Sequence, residues 1–325
     1  MNREDQFRNE ILHNPGNDGA RVSLAIYLQD EADKPAEARL LGLMMALSGG
    51  ENIPMITGFN DVSTNREQMV AAVEQIFKDY PSLQLNREVV TTENHYIEAE
   101  LNSEGGLNIN IAMRDAEARD NNLTISEEIR ELFLYPVKVL SLISFNLQSA
   151  DHIDSESLNE ILNLAQGTKE VILSLNLADT LGHIEFQNLR YPRLESLILS
   201  SRSDPMTQND GIKAADFVGQ SPKIRDIAIS RWNSQNLMEE LLGLANKATP
   251  HLNCIEMAAG EDEIGNNVIE ALARNLGMPR LKSIVFGMGD LINVEAMRAR
   301  LGIQITDGVI AEAERRAASS QVRGY

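Results

Sequence analysis

The stretch YPRLESLILSS at residues 191–201 returns in closely similar form as MPRLKSIVFGM at residues 278–288. Each copy has a proline, then an arginine, then apolar residues in the order apolar-x-x-apolar-x-apolar. The apolar pattern begins at six places, 26 to 31 residues apart. These places are Val137, Thr168, Leu194, Ile224, Leu252 and Leu281. A period of this length is typical of a repeat protein.

Helical patterns lie between the apolar segments. Segments such as SESLNEILNLAQG at 155–167 and SQNLMEELLGLANKA at 234–248 place apolar residues three and four positions apart. A short strand and a helix that repeat every 26 to 31 residues indicate a leucine-rich-repeat solenoid, with one parallel strand and one helix per turn. We therefore predict an α/β protein with about six repeats. An ordinary α/β domain whose strands share apolar patterning is the alternative.

A proline stands just before five of the six apolar segments, and we expect it to end the preceding helix. In four of the five cases a basic residue or histidine follows the proline directly. These four residues are Arg193, Lys223, His251 and Arg280.

Residues 6–43 carry a second pattern, from the phenylalanine of QFRNEIL to the proline and glutamate of DKPAEARLLGL. It resembles the repeat-companion domain, a small helical domain that accompanies leucine-rich repeats in many planctomycete and myxobacterial proteins. Tyr27 and Ile26 depart from the Trp and Asp of that family. The resemblance implies architecture only, because the family has no common activity. The matching positions are Phe7, Ile11, Pro15, Asp18, Arg21, Leu28, Glu31, Asp33, Pro35, Glu37 and Ala38.

The chain is predicted to have four segments. They are a helical repeat-companion-like domain over 1–48, an α+β capping region over 49–135, the solenoid over 136–307, and a C-terminal helix with a flexible tail over 308–325. Within the first two segments, periodicity predicts helices over 4–12 and 20–47 and a β-hairpin over 95–113. A capping region is expected because an open array would expose strand edge and apolar core.

Charge and composition restrict the partners. The 48 acidic and 29 basic side chains give a net charge of −19, which works against nucleic acid or anionic membrane as a partner. We expect a partner protein that is basic or has an apolar patch, and a homo-oligomer stays open. The absence of a signal-like start or an apolar run long enough to span a membrane predicts a cytoplasmic protein, and the single Cys254 fits a reducing compartment.

Catalytic and metal-binding patterns are missing from the sequence. It has no phosphate-binding loop, H-E-x-x-H or G-x-S-x-G motif, and its five histidines and Cys254 do not stand at metal-ligand spacing. We predict a non-enzymatic protein-interaction module without cofactor or metal. Two alternatives are a bacterial effector delivered into another cell, and an enzyme with a site in residues 50–135.

The third, fifth and seventh positions of each predicted strand point away from the core. Because many of these residues are small or apolar, we predict that this face binds a protein. Small side chains that suit a flat sheet are the competing explanation. Trp232, which follows Arg231 after the fourth strand, is a candidate interface anchor. The candidate protein-binding residues are Ile143, Ile172, Ile198, Ala228, Trp232, Glu256 and Val285.

Overall fold

The structure is a computed structural model. It describes residues 2–48, 66–85, 87–91, 95–101, 106–113, 125–144, 155–175, 181–185, 189–201, 208–230, 249–257, 266–287 and 290–322. The chain forms two compact units, Met1–Phe145 with Glu160–Lys169, and Asn146–Asn159 with Glu170–Tyr325. Both units combine helices with strands, and most strand pairs are parallel or in sequence order, so the α/β class is confirmed. The four-segment division stays a prediction.

Three helices open the first unit: α1 (Arg3–His13), α2 (Asp18–Asp30) and α3 (Pro35–Leu47). Asparagine residues cap the amino ends of α1 and α2. Asn2 accepts a hydrogen bond from the N–H of Asp5, and Asn17 accepts one from the N–H of Gly19.

The single helix predicted over 20–47 is wrong, since the chain breaks between α2 and α3. Asp33 has a φ of 52°, a left-handed conformation that does not continue a helix. Pro35 then starts α3, where its missing N–H costs nothing because the first N–H groups of a helix have no partner within the helix.

The sheet of the first unit has four strands: β1 (Arg87–Thr91), β2 (His95–Leu101), β3 (Leu107–Met113) and β4 (Val137–Ser144). β1, β2 and β3 pair antiparallel, which confirms the predicted hairpin, and β4 pairs parallel to β3. Sequence analysis missed β1. Alternate residues of β2 and β3 are buried, as the period of a half-buried strand requires. The buried members are Ile97, Ala99, Leu107, Ile109 and Ile111.

Two further helices belong to this region of the chain, α4 (Arg66–Asp79) and α5 (Glu127–Leu132). On α4, Val73 and Ile76 are buried. Ser126 caps α5 by accepting a hydrogen bond from the N–H of Ile129. A helix α6 (Ser155–Leu164) follows β4.

Arg21 ties α2 to the turn that follows α5. Its side chain is only 2 % exposed. Nε donates to the carbonyl of Leu134 at 2.9 Å, Nη2 to that of Phe133 at 3.0 Å and Nη1 to that of Pro15 at 2.6 Å. One buried guanidinium therefore supplies hydrogen bonds to carbonyls from two separate segments. A buried carbonyl needs such a donor, because it has no access to water.

An ionic network joins α1 to the start of α3. Arg8 donates to Glu4 at 3.0 Å and to Glu37 at 2.6 Å, and Lys34 donates to both carboxylate oxygens of Glu4 at 3.0 Å. Burial opposes ionisation of Glu4, but hydrogen bonds from Lys34 and Arg8 outweigh it and lower the pKa of that carboxyl. The network therefore favours the charged forms that hold the helices together.

Six strands build the sheet of the second unit. They are β5 (Glu170–Leu175), β6 (Ser196–Ser201), β7 (Asp226–Ser230), β8 (Cys254–Met257), β9 (Ser283–Phe286) and β10 (Asp290–Asn293). The first five are parallel and pair in chain order, while β10 returns antiparallel to β9. The first five coincide with predicted strands; β10 was missed.

The parallel register places the fourth and sixth positions of the repeat pattern in two buried rows. The sixth-position row joins Leu173, Leu199, Ile229, Met257 and Phe286. The fourth-position row joins Val171, Leu197, Ile227, Ile255 and Ile284. The prediction that these positions face the core is confirmed.

Four of the five repeated prolines, Pro192, Pro222, Pro250 and Pro279, occupy the second position of a β-turn. In each turn the first residue is buried, proline is second, the basic residue or histidine is third, and a buried leucine or isoleucine is fourth. The N–H of the fourth residue donates to the carbonyl of the first at 3.1 to 3.3 Å. Helix ends precede the turns: α7 (Gln208–Gly219) ends before Pro222. The turns span residues 191–194, 221–224, 249–252 and 278–281.

Among the residues that the structure describes, the second unit has three more helices: α8 (Asn266–Arg274), α9 (Val294–Arg300) and α10 (Asp307–Val322). α9 ends in a Schellman motif, in which Gly302 has a φ of 72°. Its N–H donates to the carbonyl of Ala299 at 3.1 Å, and the N–H of Ile303 donates to that of Arg298 at 2.9 Å. In the described part of the chain, no helix is both long and apolar enough to cross a bilayer.

Candidate protein-binding site

Five of the predicted binding residues lie in one row across β5 to β9. The strand register pairs Ile172 with Ile198, Ile198 with Ala228, Ala228 with Glu256, and Glu256 with Val285. Adjacent strands are about 4.8 Å apart, so the row extends over roughly 19 Å. We call these five residues the sheet-face row. Its isoleucines, alanine and valine are half-buried and Glu256 is exposed, so the row presents partly accessible apolar surface.

Polar side chains flank the sheet-face row on the same face. Asp226 pairs in register with Ser196 on one side and Cys254 on the other. Burial raises the pKa of the Asp226 carboxyl, and Glu195 adds to this, while Arg225 opposes it. Cys254 has no disulfide partner and is half-buried. The face is therefore an apolar row with a polar margin, the arrangement that protein interfaces use.

The other two predicted residues stand apart from this row. Ile143 lies on β4 of the first unit, is half-buried and pairs in register with Ala112. Trp232 lies outside the described residues, as does the predicted helix over 234–248. The outward orientation of the third, fifth and seventh positions also has exceptions, since Ser141 and Ser174 are buried.

A cavity of about 960 Å³ lies at the amino ends of β7, β8 and β9. Arg225, Asn253 and Lys282 come directly before these strands and line it. Backbone hydrogen bonds keep them in a row: Asn253 N donates to Arg225 O at 2.6 Å, and Lys282 N to Asn253 O at 2.9 Å. His251 and Arg280, the third residues of two of the β-turns, add to the lining.

Residues of α9 and of the chain after it also line the cavity. Ile303 and Ile305, which the turn at Gly302 brings into place, line it together with Ile310 of α10. Arg298 lies in the wall with 4 % of its surface exposed. Its guanidinium donates to four carbonyls at 2.8 to 3.1 Å, those of Ala273, Met278, Pro279 and Leu281. It therefore fixes the loop that carries Arg280.

The cations of the cavity are partly paired. Arg280 contacts Glu314 at 2.9 Å and Arg225 contacts Glu195 at 3.7 Å, both in exposed positions. Burial lowers the pKa of His251, and the nearby Arg280, Arg225 and Lys223 lower it further against the opposing effect of Glu314. His251 is therefore predominantly neutral at pH 7 and acts in the cavity as a hydrogen-bonding group.

Sequence analysis noted the residues that follow the prolines but assigned them no function. The signal was partial: of the four recurring residues, His251 and Arg280 line the cavity, while Arg225 and Lys282 stand two positions after a recurring residue. Its meaning depended on parallel register, which brings residues from 225 to 282 to one edge of a sheet. The contribution of residues 303–310 had no signal in the repeat pattern.

Side chains that could ligate a metal ion are dispersed in the described part of the chain. Within the described ranges, no group of three or more His, Cys, Asp or Glu residues lies close enough to hold a metal ion. The expectations of no enzymatic activity, no metal and no cofactor stay predictions. The alternative enzyme region, residues 50–135, includes long stretches outside the description.

Comparison with known proteins adds no assignment. No protein-family model matches the chain, and no curated protein matches it. The resemblance to the repeat-companion domain therefore stays a prediction from the residues quoted above.

Proposed function

We propose that this protein is a non-enzymatic interaction module that binds another protein through the sheet-face row. The observation that carries the proposal is the in-phase register of β5 to β9, which places Ile172 and Ile198 next to each other. Both side chains are half-buried on the face opposite the two buried rows. Contiguous apolar surface of this kind favours association, because a partner removes it from water.

The proposal includes membership of the leucine-rich-repeat class. Three features support it: strands in chain order, identical proline turns before four of them, and helices α7 and α8 between successive strands. Each repeat buries its apolar positions against those of its neighbours, as solenoid repeats do. A solenoid of this class presents a continuous sheet, which suits a binding role.

The N-terminal helices support the second part of the architecture, a repeat-companion-like domain. Positions that match the family pattern hold this region together: Ile11 and Leu28 are buried in one cluster, and Phe7 packs against it. Arg21 donates to the carbonyl of Pro15 and lies 3.7 Å from the carboxylate of Asp18. We propose a structural role for these positions and none in catalysis.

The double variant Ile172→Asp/Ile198→Asp should abolish capture of the partner. Two new carboxylates would have to be desolvated within the interface, which costs several kcal/mol. The measurement is affinity capture from native lysate with the purified chain, with captured proteins identified by mass spectrometry and light scattering to detect a second copy of the chain. We expect one defined partner with the native chain and none with the variant.

A matched control is Ile26→Asp/Ile212→Asp, which makes the same change at two exposed isoleucines outside the row. It should capture the partner like the native chain. A milder variant, Ile172→Thr/Ile198→Thr, keeps β propensity and should weaken capture by about tenfold. Equal capture by the native chain and both row variants would refute the proposal.

A further inference from the structure

The cavity at the amino ends of β7 to β9 has a charge opposite to that of the whole protein. Four cationic side chains line it, Arg225, Arg280, Lys282 and Arg298, against the single carboxylate of Glu295. The chain as a whole carries −19. Charges more than about 8 Å apart are largely screened at physiological ionic strength. The local cations, and not the net charge, therefore decide what binds in the cavity.

The geometry of the cations suits two carboxylates on one extended chain. Arg225 and Lys282 stand two strands apart, which puts their Cα atoms roughly 10 Å from each other. An extended peptide rises about 3.3 Å per residue, so glutamates two residues apart lie on the same side of the chain and about 6.6 Å apart. The long side chains of Arg225 and Lys282 can converge to bridge the difference. Arg225 also offers the two parallel N–H donors that a carboxylate accepts.

The ion pairs already present do not block such a ligand. The contacts Arg280 with Glu314 and Arg225 with Glu195 are both solvent-exposed. Exposed pairs of this kind contribute little to stability, so an incoming carboxylate can compete for the guanidinium groups. Arg298, by contrast, is held by four carbonyls and serves as the fixed wall.

The rest of the lining is apolar or neutral. Ile303, Ile305 and Ile310 form one side, and the side chains of Asn253 and Gln304 offer amide groups that can both donate and accept. A volume of about 960 Å³ far exceeds that of one phosphate or acetate ion. The ligand must therefore bring apolar groups and hydrogen-bonding groups as well as charge.

We propose that this cavity binds an acidic peptide segment with alternating carboxylate and apolar side chains, contributed by the partner protein. The inference rests on the proposed function for its source of peptide, and it revises the sequence-based expectation of a basic partner. The sheet-face row would bind the apolar surface of the partner, and the cavity would bind an acidic segment of it.

The test is calorimetric titration of the full chain with an acetylated, amidated hexapeptide of alternating glutamate and leucine. The native chain should bind it, and Arg225→Glu/Lys282→Glu should bind at least tenfold more weakly. Arg39→Glu/Lys78→Glu changes the net charge equally at exposed positions of the first unit and should bind like the native chain. The neutral variant Arg225→Gln/Lys282→Gln should show an intermediate loss.

Three results would overturn the inference: no binding by the native chain, the same loss in the cavity variant and the Arg39/Lys78 variant, or inorganic phosphate and acetate binding as tightly as the peptide. The last result would assign the cavity to a small anion. The variant Ile172→Asp/Ile198→Asp should bind the peptide normally, so a failed titration and a failed partner capture are separate results.

Discussion

Replacing Arg298 by methionine should lower the free energy of unfolding by about 3 kcal/mol or more. Methionine keeps an unbranched apolar stem but removes the guanidinium group and with it all the donors. The four carbonyls that Arg298 now satisfies are in a buried region, so most of their hydrogen bonds would be lost. The measurement is urea denaturation followed by circular dichroism.

Arg300→Met is the matched control, because Arg300 is on the same helix and is exposed. It should change stability by less than about 0.5 kcal/mol. Arg298→Lys should fall between the two, since an ammonium has three donors without the planar fork of arginine. A loss for Arg298→Met no greater than that for Arg300→Met would show that the carbonyl network contributes nothing.

Replacing Arg21 by methionine should cost about 2–3 kcal/mol. Arg21 satisfies three carbonyls instead of four, and the contact to Asp18 at 3.7 Å adds little because it is long. The effect should be localised to the first unit. Hydrogen exchange measured by mass spectrometry should show faster exchange in α2 and in residues 132–140 of the variant.

The control for Arg21 is Arg39→Met, at an exposed position on α3. Its exchange rates should match those of the native chain. Unchanged exchange at 132–140 in Arg21→Met would contradict the role assigned to Arg21, because its hydrogen bonds to the carbonyls of Phe133 and Leu134 join α2 to that turn.

Several parts of the fold could be predicted from the sequence because they depend on local pattern. The strands β6 to β9 alternate buried and outward positions, as the sequence pattern predicts. The same apolar pattern occurs at six places in the sequence. This repetition identifies the strands and their inward-facing positions even though each strand is short. The β-hairpin over 95–113 was found for the same reason.

Other parts of the fold could not be predicted from local pattern. They depend on contacts between residues distant in sequence, or on a backbone conformation that the sequence does not indicate. β10 has only four residues, and its Leu291 is 65 % exposed, so the strand lacks an apolar period. The break before α3 depends on the left-handed conformation of Asp33. Arg298 satisfies carbonyls 17 to 25 positions earlier, and nothing in its neighbourhood distinguishes it from the exposed Arg300.

The candidate sites divide in the same way. The members of the sheet-face row can be identified from the sequence, because each is the fifth residue of its repeat pattern. The strand register places them side by side. The cavity requires the register, the turn at Gly302 and the position of α10 together. Net charge was a poor guide to it, because it averages over the whole surface while binding depends on local groups.

The most direct test of the sheet-face row is photo-crosslinking from its centre. A photoreactive benzoyl-phenylalanine is placed at Ala228, which pairs with Ile198 on one side and Glu256 on the other, and in a second protein at the exposed Tyr80. After irradiation in native lysate, we predict a crosslink from position 228 to one defined protein and none to that protein from position 80. No crosslink from position 228, or the same products from both positions, would contradict binding through this face.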